Sequence, residues 1–155
     1  MSRDFNKNKV AVLTGAAKKI GRSTAIKLAE QGFNILIHTG GKSIEEAKDT
    51  IKLLEKFKIK SNYVTGDLAN LETINIIKDA ALKLGTPSVL VNNAGLRIHE
   101  HFEKIDYKDW KKVMTVNVDA SFLCAQALIN YMVKQKWGRV INIGGLSAHI
   151  GAKER

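Results

Sequence analysis

Residues 9–21, KVAVLTGAAKKIG, decide how the rest of the chain is read. The segment opens as a short β-branched run and turns at Thr14 and Gly15. It reaches Gly21 as a helical spacing begins through Ile20, Thr24, Ile26, Leu28 and Ala29. A strand, a glycine turn and a helix in immediate succession form the first part of a βαβ unit. Such a turn brings backbone N–H groups and the positive end of the helix to one point, where an anion is stabilised. It is not a P-loop, because five residues rather than four separate Gly15 from Gly21 and Arg22 follows in place of Lys-Ser/Thr. The GxGxxG spacing is absent as well. On these residues alone, a phosphate site and an ordinary strand-to-helix turn both remain open.

The alternation continues outward. Gly32 is placed to end the first long helix, and FNILIHT (33–39) reads as a second strand. Ser43 with Glu46 three residues later is spaced as a capping box for a helix reaching about residue 57. SNYVTGD (61–67) is a third strand; a helix over about 70–84 follows, with Gly85 and Pro87 as stop signals. SVLVNNAG (88–95) is apolar over its first half, as expected of a strand covered on both faces. After a loop, a long helix is expected over about 107–133, and a fifth strand from residue 138. Strands alternating with helices of this length specify an α/β, doubly wound parallel sheet (Rossmann-type) in one domain over 1–155. Ligands of such sheets bind beyond the carboxyl ends of the strands, near the switch point in strand order.

Bulk properties agree. At 155 residues with 45% hydrophobic content, the chain is long enough for one sizeable core. No run approaches 18 consecutive apolar residues and the N-terminus is polar, so neither a membrane span nor a signal peptide is expected. The single cysteine, Cys124, cannot form an internal disulfide, which fits a reducing, cytoplasmic setting. The net charge of +10 comes largely from lysines on polar helix faces, such as Lys48, Lys52 and Lys56. A nucleotide phosphate is therefore a better anionic partner than a nucleic acid.

At the glycine loop the sequence resembles the short-chain dehydrogenase/reductase family, whose motif is TGxxxGxG. Thr14, Gly15 and Gly21 match, and Lys19 replaces the middle glycine, as a basic residue does in the family's pteridine reductases. The resemblance recurs at Asp67-Leu68, at Asn92–Gly95, at Asn117 within VMTVNVDASFLCAQ, and at GRVINIGG (138–145), so it covers essentially the whole chain. It implies a nicotinamide dinucleotide held by Thr14, Gly15, Ala17, Lys18, Lys19, Ile20 and Gly21, with Asp67 and Leu68 at the adenine and Asn93, Ala94 and Gly95 beside the ribose. An NAD-preferring fold places a carboxylate about 20 residues beyond the glycine motif. None occurs between Glu30 and Glu45, whereas Lys18, Lys19 and Lys42 are suited to a 2′-phosphate, so the expected cofactor is NADP(H).

The long helix carries one stripe through Trp110, Val113, Asn117, Ser121, Cys124, Leu128 and Tyr131, expected to face inward. A second runs through Met114, Val118, Phe122, Ala125, Ile129 and Met132. An apolar arc that broad implies burial on two sides, and the resemblance implies homo-oligomers paired through this helix. It also implies that Asn117 opens the helix locally and serves a proton relay. Carbonyl reduction needs a proton donor and a second group to stabilise the developing oxyanion, beside the hydride supplied by the cofactor. In the family these are a Tyr-x-x-x-Lys element and a Ser at the end of the fifth strand. Gly145 stands at that serine position, and Ser147 is a possible substitute two residues on. No Tyr-x-x-x-Lys occurs in the sequence; by spacing it would begin about three residues past Arg155, so the sheet is expected to be truncated after its fifth strand. His99 and His101 lack a third ligand at sensible spacing, so no metal is expected. The function implied is an NADP(H)-dependent reductase of a small-molecule or acyl-carrier-bound carbonyl, with 3-oxoacyl chains or a pteridine-like ring as substrate. The alternative is a non-catalytic dinucleotide-binding or dimerising relative.

Overall fold

The computed structural model describes residues 3–145 and residue 150. Strand β1 (Lys9–Leu13) shows why the fold is layered. Successive side chains of a strand alternate between faces. Ala11 and Leu13 therefore enter one apolar cluster, while Val10 and Val12 enter another on the opposite face. The same split occurs in β2 (Asn34–Thr39), between Ile35 with Ile37 and Leu36, and in β4 (Thr86–Asn92), between Val89 with Val91 and Leu90. With β3 (Ser61–Thr65) and β5 (Arg139–Asn142) these strands form one parallel sheet in the order β3-β2-β1-β4-β5. The chain thus winds outward from β1 to β3, then returns to place β4 on the other side of β1. The switch point lies between β1 and β4.

Helices cover both faces. After a short α1 (Arg3–Asn6), α2 (Lys19–Glu30) and α3 (Ile44–Leu54) lie on the first face, where Ala25, Ala29, Ala47 and Leu54 are fully buried. On the second face α4 (Leu71–Leu84) contributes Ile74, Ile77 and Ala81. The long helix begins as α5 (Tyr107–Met114), passes through a π-helical turn at Thr115–Asp119, and continues as α6 (Ala120–Lys134). By length and composition Tyr107–Lys134 is apolar enough to cross a membrane. In this fold, however, α6 lays Ala120, Cys124, Leu128 and Met132 against the sheet, as a core helix does.

Three expectations are corrected. Of the line expected to face inward, Cys124 and Leu128 are buried, whereas Trp110 and Asn117 are exposed and Tyr131 is only partly covered; Ala120 and Met132 complete the buried stripe. The π-turn inserts an extra residue, so a spacing carried unbroken across it loses phase. Asn117 itself is exposed, and Val118, Phe122 and Ile129 of the second stripe face solvent. Ser43 provides no side-chain cap to α3, because a 3-10 turn at Gly41–Ser43 leads directly into the helix and the Glu46 carboxylate bonds elsewhere. Pro87, expected only to stop α4, lies inside β4. A register shift between Val10 and Ala11 accompanies it where β1 meets β4, a device that fits a residue without an N–H.

Candidate cofactor and active site

The carboxyl ends of β1 and β4 are tied by Thr14. Its buried hydroxyl accepts from the backbone N–H groups of Asn93 and Ala94, both at 3.1 Å, and donates to Val91 O at 3.5 Å. Asn93 returns the tie: its amide donates to Thr14 O at 3.0 Å and to Gly15 O at 2.9 Å. Gly15 has φ +61°, and a Cβ there would lie 2.7 Å from Ala94 Cα. At Gly21 a Cβ would lie 2.4 Å from Ala16 Cα, so only glycine lets α2 start this close to the turn. Thr14, Gly15, Gly21, Asn93 and Ala94 are thus brought together as one packed cradle. Lys19, standing for the motif's middle glycine, keeps the glycine-like backbone with φ +51°. That conformation costs an ordinary residue about 1–2 kcal/mol.

The open side of this cradle suits an anion. Lys18 precedes α2 in extended conformation without capping it by its side chain, and the first turn of α2 holds no acidic residue. First-turn N–H groups have no acceptor within their own helix. Ala17 is buried, whereas Ile20 stands 64% exposed at the edge of the cleft. Lys42 is exposed in the turn beyond β2, and nothing lies within 4 Å of where Gly40 and Gly41 would carry a Cβ. Asp67 is exposed, with one carboxylate oxygen accepting from Ala69 N at 2.9 Å, while Leu68 beside it is buried in the core.

Sequence reading missed the brace behind the loop. Arg22 donates to Ala17 O at 3.2 and 3.0 Å, to the Thr50 hydroxyl at 2.7 Å and to Glu46 O at 3.0 Å. The Thr50 hydroxyl also lies 2.8 Å from Ala17 O. Lys18 Nζ bonds the Glu46 carboxylate at 2.8 Å, which holds that carboxyl below its ordinary range chiefly through this hydrogen bond. No local pattern signals contacts between residues 28 positions apart. The backbone of β2 joins in through Ala16 N to His38 O at 3.0 Å. The His38 ring is buried, its Nε2 lies 3.0 Å from Gly66 O, and burial is the main cause that lowers its pKa.

Beside the cradle lies an open cleft of about 1250 Å³. Ile20 and residues 92–100 form one side; Trp110, Asn117, Phe122, Asn142 and Gly145 form another. Gly95 thus borders the cleft directly. The Asn117 side chain accepts from Leu96 N at 2.8 Å and donates to Leu96 O at 3.0 Å, clamping the loop after β4 to the π-turn. Asn142 accepts from Asn92 at 2.8 Å across the β4–β5 pair. Gly145 reaches the cleft without a side chain, and Ser147 lies outside the described residues. His99 and His101 are exposed, and no group of three His, Cys, Asp or Glu placed to hold a metal occurs among the described residues. Cys124 is buried away from the cleft, with its thiol pushed up to about 11 by burial.

A parallel doubly wound sheet with a glycine cradle at its switch point defines a dinucleotide-binding α/β protein. Residues 9–154 match the short chain dehydrogenase family, and the chain belongs to that family, whose oxidoreductases use a nicotinamide dinucleotide. It is 39% identical over 142 residues to the uncharacterized oxidoreductase YohF of Escherichia coli, covering 90% of this chain and 56% of that protein. It is 33% identical over 150 residues to the 3-oxoacyl-[acyl-carrier-protein] reductase FabG of Staphylococcus epidermidis, covering 93% and 59% respectively. Among solved structures, the acetoin dehydrogenase YohF of Salmonella typhimurium superposes with a TM-score of 0.88 at 34% identity, over 95% of this chain and 58% of that one. The chain therefore spans a little under three-fifths of the length of these relatives. The residues present fit the dinucleotide: uncapped helix amides, lysines and a closely packed glycine turn provide donors at one end of an open cleft.

Proposed function

We propose that this chain forms the cofactor-binding part of an NADP(H)-dependent carbonyl reductase. The observation that carries the cofactor choice is the corner beyond β1 and β2: Lys18 and Lys42 stand there, and residues 40–43 supply no carboxylate. The glycine loop and the start of α2 would hold the pyrophosphate, Asp67 and Leu68 the adenine, and Asn93 to Gly95 the nicotinamide ribose. Bound there, the cofactor supplies a hydride. The chain's own residues orient it: Thr14 and Asn93 fix the cradle, and Asn117 fixes the loop that borders the cleft. A 3-oxoacyl chain is the substrate class favoured, on the likeness to FabG. The exposed apolar stripe of Val118, Phe122, Ile129 and Val133 supports a homo-oligomer paired through the long helix. We place the protein in the cytoplasm, on its single buried cysteine.

The test is a titration of NADPH and NADH, followed by the enhancement of nicotinamide fluorescence. NADPH should bind at least about tenfold tighter, since a buffered phosphate with two lysines is worth roughly 1.4 kcal/mol or more. Lys18→Ala with Lys42→Ala should erase that margin while leaving NADH binding unchanged. Equal or tighter binding of NADH to the parent protein refutes the assignment. Gly145 favours a second reading, a dinucleotide-binding module without turnover, because its position offers no hydroxyl to a substrate oxygen. Oxidation of bound NADPH on adding a 3-oxoacyl thioester separates the two.

A further inference from the structure

Lys18 and Glu46 belong to different elements, the turn before α2 and the first turn of α3, and the fold joins them at the corner assigned to the adenosine phosphate. A carboxylate is therefore present there after all, supplied from beyond β2 rather than from its end. Its placement is braced, since Arg22 holds the Glu46 backbone carbonyl at 3.0 Å and, through Ala17 O, the glycine loop as well. The two charged side chains remain solvated, 49% and 37% exposed. An ammonium has three donors, so Lys18 is free to turn from one anion to another.

We propose that Glu46 tunes cofactor choice by competing with the 2′-phosphate for Lys18. This inference rests on the NADP(H) assignment above. A phosphate entering the corner meets a lysine already paired and a carboxylate of its own sign. A bare ribose hydroxyl meets only an acceptor. The pair therefore narrows the margin between phosphorylated and unphosphorylated cofactors, while the lysines keep its sign. Neighbouring Glu45 is occupied by Lys48 at 2.7 Å and should take no part.

The experiment measures the affinities of NADPH, NADH, 2′,5′-ADP and 5′-AMP for the parent protein and for Glu46→Gln, Glu46→Ala, Glu45→Gln and Lys18→Ala. Glu46→Gln should tighten NADPH and 2′,5′-ADP by about threefold to tenfold, the scale of one solvated charge interaction, and leave NADH and 5′-AMP within about twofold. Glu46→Ala should raise the ratio of NADPH to NADH affinity at least as much, because it also removes the acceptor a ribose hydroxyl would meet, and Glu45→Gln should change neither affinity. On a Lys18→Ala background the gain from Glu46→Gln should shrink. If Lys18→Ala weakens NADPH more than NADH, yet Glu46→Gln leaves their ratio unchanged or lowers it, the proposal falls while the cofactor assignment stands. If Glu45→Gln matches Glu46→Gln, the effect belongs to the general field and the proposal falls. If Lys18→Ala affects both cofactors equally, the cofactor assignment fails and takes the proposal with it.

Discussion

Replacing Thr14 with valine removes one oxygen and almost nothing else, yet it should be among the costlier substitutions at the site. The hydroxyl accepts from two backbone donors, Asn93 N and Ala94 N, which in the variant face a methyl group. Thr14 is 2% exposed, so water has no direct path to replace the oxygen. The two amides are partly buried, and each donor left without a partner costs about 1 kcal/mol, the lower part of the usual range. The sum is about 2 kcal/mol, or a fall of roughly 4–8 °C in Tm for a chain of this size. Thr14→Ser keeps the oxygen and loses a buried methyl, at about 0.8 kcal/mol. The expected order of stability is parent, Thr14→Ser, Thr14→Val, measured by urea unfolding with an unchanged slope. NADPH affinity should follow the same order, because residues 93–95 are positioned by these bonds. A valine variant within about 0.5 kcal/mol of the parent, or less damaged than serine, would refute the reasoning.

Lys19→Gly removes a left-handed strain of about 1–2 kcal/mol but gives the unfolded chain more freedom, so a net gain of about 0.5–1 kcal/mol is expected in denaturant titration. Lys136→Gly, at φ +57° beyond α6, should give a similar gain without touching cofactor affinity. The His38 pKa is lowered by burial, so between its folded value and the ordinary 6.5 the unfolded chain binds the extra proton. Stability should accordingly be complete above about pH 7 and decline as pH falls through that window, by at most about 1.4 kcal/mol per unit, and His38→Gln should flatten the decline. Cys124, with its thiol near 11 and its side chain in the core, should react with a thiol reagent only at the rate of unfolding. Fast labelling of the folded protein would contradict its burial.

Much of this fold was legible because its central strands β1, β2 and β4 are largely apolar runs followed by glycine or asparagine, and the helices between them have conventional lengths. The cradle was legible for the same reason: Thr14, Gly15 and Gly21 sit at fixed distances from the end of β1, and Asn93 to Gly95 at the end of β4. What failed was anything that depended on an interruption of regular geometry. The π-turn at Thr115–Asp119 carries Asn117 at an exposed position, while Cys124 and Leu128, expected on the same line beyond it, are buried. The spacing of Ser43 and Glu46 matched a cap, but a 3-10 turn before α3 took Ser43 out of position. Arg22 was visible only as the residue that ruled out a P-loop. Its four donor contacts lie with α3 and the glycine loop, and no periodicity within either segment could foretell them.

The ties also divide the site into parts of unlike character. At the cradle, every atom that holds the turn in place is matched by one from another strand or helix: Thr14 with Asn93, Arg22 with Thr50 and Ala17, Ala16 with His38. Side chains committed in this way orient a ligand through the backbone they fix, so their removal should weaken binding of every dinucleotide alike. At the corner proposed for the adenosine, Lys18, Lys42 and Glu46 are solvated and free to exchange partners, and on that proposal discrimination between dinucleotides would lie there. At the far side of the cleft, the Asn117 amide is committed to Leu96 on both its atoms, and Gly145 carries no side chain. Neither side chain is available to a substrate oxygen, which assigns Asn117 to positioning the loop. On the function proposed above, the cradle and this corner would hold and select the cofactor, and neither Asn117 nor Gly145 would supply the carbonyl's proton.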